Sequence, residues 1–63
     1  MDIITRLEGY GIKRINKKLD KIFATSDIDK RMNLCDDILE ELRNNEIEVD
    51  DIMEDEIKEL TLR

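Results

Sequence analysis

The sequence has no proline, no histidine and no tryptophan, only one cysteine, two glycines, one tyrosine and one phenylalanine. Each shortage excludes something. Without proline, and with glycine confined to positions 9 and 11, almost nothing opposes helix formation. The single Cys35 rules out an internal disulfide, and the missing histidines remove the usual ligands of a structural zinc site. The same absence leaves Cys35 with no base to activate it, and it lies among apolar positions, so packing is expected of it rather than nucleophilic attack. No run of about 18 apolar residues is present, so no membrane span is expected. The opening Met-Asp-Ile-Ile lacks the basic-then-apolar order of a secretory signal, which together with one unpaired thiol suggests a cytoplasmic protein.

At 63 residues the chain forms one domain, residues 1–63, that can hide only about 60% of the surface its unfolded form exposes. Disulfide and zinc reinforcement being excluded, self-association is the remaining route to extra stability, and a dimer is expected. Charged residues make up 44% of the chain and aromatics 3%, a balance that borders on disorder but also suits helical bundles. Periodicity decides between them. Aliphatic residues recur at intervals of three and four, the mark of helices with one buried face.

Three helical segments follow from that spacing. The first covers residues 2–23, with Ile3, Ile4, Leu7 and Tyr10 in one sector and Ile12, Ile15, Leu19, Ile22 and Phe23 in another, rotated by about 100°. The Gly9-Tyr10-Gly11 sequence between them is either a break or a site of close packing in a continuous helix. The second covers residues 27–44, opened by a Ser26 cap with Asp29 three positions on. Its apolar set of Ile28, Met32, Leu34, Cys35, Ile38, Leu39 and Leu42 spans about 160° and suits two neighbours. Asn44 and Asn45 tolerate the left-handed conformation that ends a helix. The third covers residues 50–61, with carboxylates at its positive end and a stripe of Val49, Ile52, Met53, Ile57 and Leu60. Phe23 is expected in the core, closing the turn to the second helix, and Ile47 as a staple onto the third helix. The fold class expected is all-α: a small three-helix bundle, or a helical hairpin plus a third helix completed by dimerisation.

Charge is distributed unevenly, which lets the basic face of the first helix lie near the acidic helices within the bundle or across a dimer. Residues 1–23 carry six cations against three carboxylates, whereas the remainder carries fourteen carboxylates against five cations. Lys13, Arg14, Lys17, Lys18 and Lys21 recur at helical spacing as a basic strip beside the apolar face. The net charge of −6 and the scarcity of stacking rings argue against nucleic acid as the partner of that strip. The acidic residues between 36 and 59 admit imitation of a nucleic-acid backbone that would block a DNA- or RNA-binding protein. They do not form a calcium loop, since residues 45–56 lack the central glycine and the alternating ligand register. Neighbours such as Asp36 and Glu40, or Asp51 and Asp55, are four apart on one face and lack a cleft that would tune them for acid-base work.

No catalytic, cofactor or metal residues are therefore expected. The residues point instead to a small non-catalytic module, a regulator, inhibitor or adaptor that binds another protein through an apolar helix face and a charged rim. The candidate contact residues are Ile3, Ile4, Leu7 and Tyr10, which suit an exposed apolar end and the core equally, and Lys13, Arg14, Lys17, Asp51, Glu54 and Asp55 as the rim.

Overall fold

The computed structural model describes residues 2–63, which form four α-helices and a closing 3₁₀ turn, without strands. The helices are α1 (Ile3–Gly9), α2 (Lys13–Ala24), α3 (Ile28–Asn44) and α4 (Asp51–Lys58), and the 3₁₀ turn is Glu59–Leu62. The all-helical class is as the periodicity implies, with four helices in place of three.

The additional helix comes from the Gly-Tyr-Gly sequence, which is a break. Gly11 sits at φ +67°, a conformation that an L side chain rarely adopts, and its N–H donates to the Glu8 carbonyl at 3.1 Å. Ile12 is then extended (φ −88°, ψ 111°) ahead of α2. The break accounts for the rotated apolar sectors. Each short helix turns its own face inward, so that Ile3 and Leu7 of α1 are buried alongside Ile15, Leu19 and Ile22 of α2.

The interior is completed by Cys35, Ile38, Leu39 and Leu42 of α3, Met53 and Ile57 of α4, and Leu60 of the 3₁₀ turn. Ile4, Tyr10, Ile12, Leu34, Ile47 and Val49 pack around this cluster, half-buried. All of these side chains are covered by elements of the same chain. Helix α3 meets α2, α4 and the 3₁₀ turn. Arg14 pairs with Glu41 at 3.6 Å and Lys18 with Asp37 at 3.8 Å, so α2 and α3 run antiparallel. Arg43 reaches Glu54 at 3.8 Å while Cys35 meets Thr61 at 3.6 Å, which sets the last segment antiparallel to α3 as well. These ion pairs, each with one partner open to solvent, contribute about 1 kcal/mol or less apiece and fix register more than stability.

The helix ends differ from the expected ones in three places. Asp27, not Ser26, caps α3: its Oδ1 accepts from the N–H groups of Asp29 at 3.0 Å and Lys30 at 3.3 Å. Ser26 is displaced from that role because Thr25 Oγ1 takes the Asp27 N–H, turning the chain one residue later. The turn itself is closed by Arg31, not Phe23. Arg31 Nε donates to the carbonyls of Ile22 at 3.1 Å and Thr25 at 2.7 Å, and its Nη1 donates to the carbonyl of Arg63. Phe23 remains 50% exposed.

At the other end of α3 the left-handed residue is Glu46 (φ 59°), not Asn44 or Asn45. The Glu46 N–H donates to Arg43 O at 3.0 Å and the Ile47 N–H to Leu42 O at 2.9 Å, the paired bonds of a Schellman closure. The half-buried Ile47 packs against the core that contains Leu42, which fixes the register and makes residue 46 the one that must turn. Asn45 instead donates its side-chain Nδ2 to Glu41 O at 2.7 Å. Asp50 caps α4 by accepting from the Met53 N–H at 2.7 Å. Ile52, assigned to the buried stripe, is 71% exposed. It lies about 100° round the helix from Met53, and the eight-residue α4 faces inward along Met53 and Ile57.

The two positive-φ positions give a paired test. A Cβ on Gly11 would meet nothing within 4 Å, so Gly11→Ala should lower stability by about 1–2 kcal/mol through backbone conformation alone. Glu46→Gly should raise it by about 1 kcal/mol by relieving the same conformation. Urea unfolding followed by circular dichroism measures both; changes of equal sign would contradict these assignments.

Candidate protein-interaction surface

Among the large apolar side chains that remain exposed, Ile28, Met32 and Leu62 are 54%, 52% and 80% accessible. Ile28 and Met32 stand one turn apart on the same face of α3. Met32 belongs to the edge of the broad apolar sector, whereas Ile28 lies within it and is exposed because it is the first residue of the helix. Met32 and Leu62 border one groove between α3 and the terminal segment, together with Cys35, Asp36, Lys58 and Thr61. Sequence reasoning gave Ile28 and Met32 to the core and did not single out Leu62. The excess width of the α3 sector was the available signal.

The groove floor is a structural contact. Cys35 and Thr61 are buried, with Sγ and Oγ1 3.6 Å apart. Burial pushes the Cys35 thiol above its ordinary value of 9.0, with a smaller upward push from Asp36, while the Thr61 hydrogen bond pulls the other way. The thiol stays protonated at neutral pH. Along the banks, Glu54 joins Lys58 at 3.6 Å as well as Arg43. Asp29, Asp36 and Glu40 on α3, and Asp51 and Asp55 on α4, are exposed. Among the described residues, none of these five carboxylates is within ion-pair distance of a cation.

The residues singled out from sequence are dispersed. Ile3 and Leu7 are 4% and 0% exposed, so they are core in this fold and offer no surface to a partner. They are buried because the break at Gly11 lets α1 fold against α2 and α4. Ile4 and Tyr10 are half-buried against the same core, and Tyr10 Oη accepts from Arg6 Nε at 3.3 Å. Lys13, Arg14 and Lys17 are exposed on α2, Arg14 being partly engaged by Glu41. Glu54 is half-buried within its ion pairs, while Asp51 and Asp55 on the same helix are exposed. The apolar end and the two charged rims do not converge on one site.

A second hollow, on the α2 side of α3, is lined by Lys21, Ala24, Thr25, Lys30, Asn33, Leu34 and Asp37. None of the exposed large apolar side chains borders it. Among the described residues no group of three or more His, Cys, Asp or Glu side chains is placed to hold a metal ion, and no helix is long and apolar enough to cross a membrane.

The raised Cys35 value makes stability depend on alkaline pH. The unfolded chain forms the thiolate more readily than the folded one, so the contribution is whole below 9.0 and is lost as pH rises through the raised value. The stability advantage of the natural protein over Cys35→Ala should therefore shrink above about pH 9. Denaturant titrations of both proteins between pH 7 and 10.5 test this; a pH-independent difference would contradict it. In comparisons with known proteins, no protein-family model, no curated protein and no solved structure matches the chain.

Proposed function

We propose that this protein is a small non-catalytic binding module, a regulator, inhibitor or adaptor that engages another protein through the Ile28, Met32 and Leu62 edge. The observation that carries this reading is the placement of those three residues. A chain this short has little apolar surface to spare, and its other aliphatic side chains mostly go to the core. Leaving a Met and a Leu exposed at the border of one groove is the pattern of a surface kept for contact. Methionine suits the role, since its flexible thioether adapts to the shape of what it meets. The charged residues around the groove supply a rim that favours encounter and discourages wrong partners.

The unpaired carboxylates of α3 and α4 favour a second reading, in which the acidic surface imitates a nucleic-acid backbone and occupies the basic groove of a DNA- or RNA-binding protein. The two readings differ in what removes binding. If the apolar edge carries the function, a partner co-purified from native lysate should be lost with Met32→Ser combined with Leu62→Ser and retained with Asp51→Asn combined with Asp55→Asn. The reverse pattern supports mimicry. Retention by both double variants would contradict a role for either surface. All four substituted side chains are exposed, so the variants should fold, and circular dichroism verifies that they do.

A further inference from the structure

The groove between α3 and the terminal segment has a chemistry that narrows its occupant. Its apolar border is Met32 and Leu62, its floor is the paired Cys35 and Thr61, and its walls include Asp36 and Lys58. Immediately outside Met32 on the α3 surface lie Asp29, Asp36 and Glu40, which occupy a sector of about 40° by helical rotation. None of these three is in an ion pair among the described residues. Lys58 in the groove wall pairs with Glu54, as does Arg43. The result is an apolar trough with an anionic bank on its α3 side, formed between two antiparallel elements where a third helix can lie.

From this, and resting on the binding reading above, we propose that the groove takes a cationic amphipathic helix of a partner protein. Its apolar side chains would sit against Met32 and Leu62, and its lysines or arginines would oppose Asp29, Asp36 and Glu40. Helix-in-groove docking uses this division of labour, with apolar anchors at i, i+3, i+4 and i+7. A second copy of the chain is a poorer fit, because an isologous contact would bring two like-charged banks together on molecules of net charge −6. Nucleic acid meets the same repulsion.

The test uses the full chain and two labelled model helices, one of leucine and lysine with leucines at the i, i+3, i+4 and i+7 spacing, the other with every lysine replaced by glutamate. Fluorescence anisotropy at low and moderate salt gives the affinities, and light scattering gives the mass of the protein alone. The leucine-lysine helix should bind more tightly than its glutamate counterpart. Met32→Asp should weaken that binding at least about tenfold although it adds a negative charge, and Leu62→Ser should weaken it as well. Asp36→Asn with Glu40→Gln should weaken it and flatten its salt dependence.

If the glutamate helix binds as well or better and Met32→Asp abolishes it, the docking edge stands and the cationic assignment falls. If Met32→Asp leaves leucine-lysine binding unchanged or tightens it, the contact is generic charge attraction and the groove loses its role in both readings. Binding of neither helix overturns the cationic-helix inference, leaving co-purification to judge the broader reading. A doubled mass that Met32→Asp returns to monomer assigns the groove to a second copy and likewise overturns it.

Discussion

The apolar face of α3 is the surface on which the fold depends. Cys35, Ile38, Leu39 and Leu42 are buried along it, and α2, α4 and the 3₁₀ turn pack against this one helix. In a chain without disulfides, stability must come from such burial, and small domains have little in reserve: at about 0.05–0.15 kcal/mol per residue, 63 residues imply roughly 3–9 kcal/mol in total. Losing one buried leucine to alanine costs about 2–5 kcal/mol, a large share of that. The breadth of the α3 face also leaves part of it uncovered. A face wide enough to serve two neighbours leaves an edge that neither covers, and Met32 is exposed along it.

Local closures make the α3 platform usable. Arg31 collects carbonyls from Ile22, Thr25 and Arg63, so one guanidinium satisfies backbone acceptors at the end of α2, in the turn and at residue 63. Charge-assisted bonds of this kind contribute about 1.5–3 kcal/mol where they are shielded. Arg63 also donates to Asp2 at 3.4 Å, and this hydrogen bond holds the Asp2 carboxyl below its ordinary value, with α1 drawn toward the terminal segment. The left-handed residues Gly11 and Glu46 set the directions in which α2 and the chain leading to α4 depart.

Much of the fold was legible because helical periodicity is a direct signature of one-sided burial. The rotated apolar sectors on either side of Gly9-Tyr10-Gly11 marked the place where the chain breaks, and the start of α4 beside Asp50 followed from the carboxylates gathered at its positive end. What was not legible depended on tertiary competition. Ser26 and Asp27 are both good caps, and the choice fell to Asp27 because Thr25 engages its N–H. Glu46 takes the left-handed position against its own preference, because Ile47 is held to Leu42 by backbone hydrogen bonding and packing. Phe23 and Ile52 lie at the margins of their stripes, where packing decides exposure. The exposed apolar edge was the least legible part: periodicity reports which residues can be buried together, not which member of a broad face is left over. Hence Ile3 and Leu7, candidates for an exposed end, are core, while Ile28 and Met32, candidates for the core, are exposed.

The chain closes its own core and leaves Met32 and Leu62 exposed. The most direct measurement is urea unfolding by circular dichroism at protein concentrations a hundredfold apart, with no partner present. One cooperative transition whose midpoint does not move with concentration is expected. A midpoint that climbs with concentration would mean that folding is coupled to association, and the exposed edge would then be part of an incomplete core rather than a docking surface.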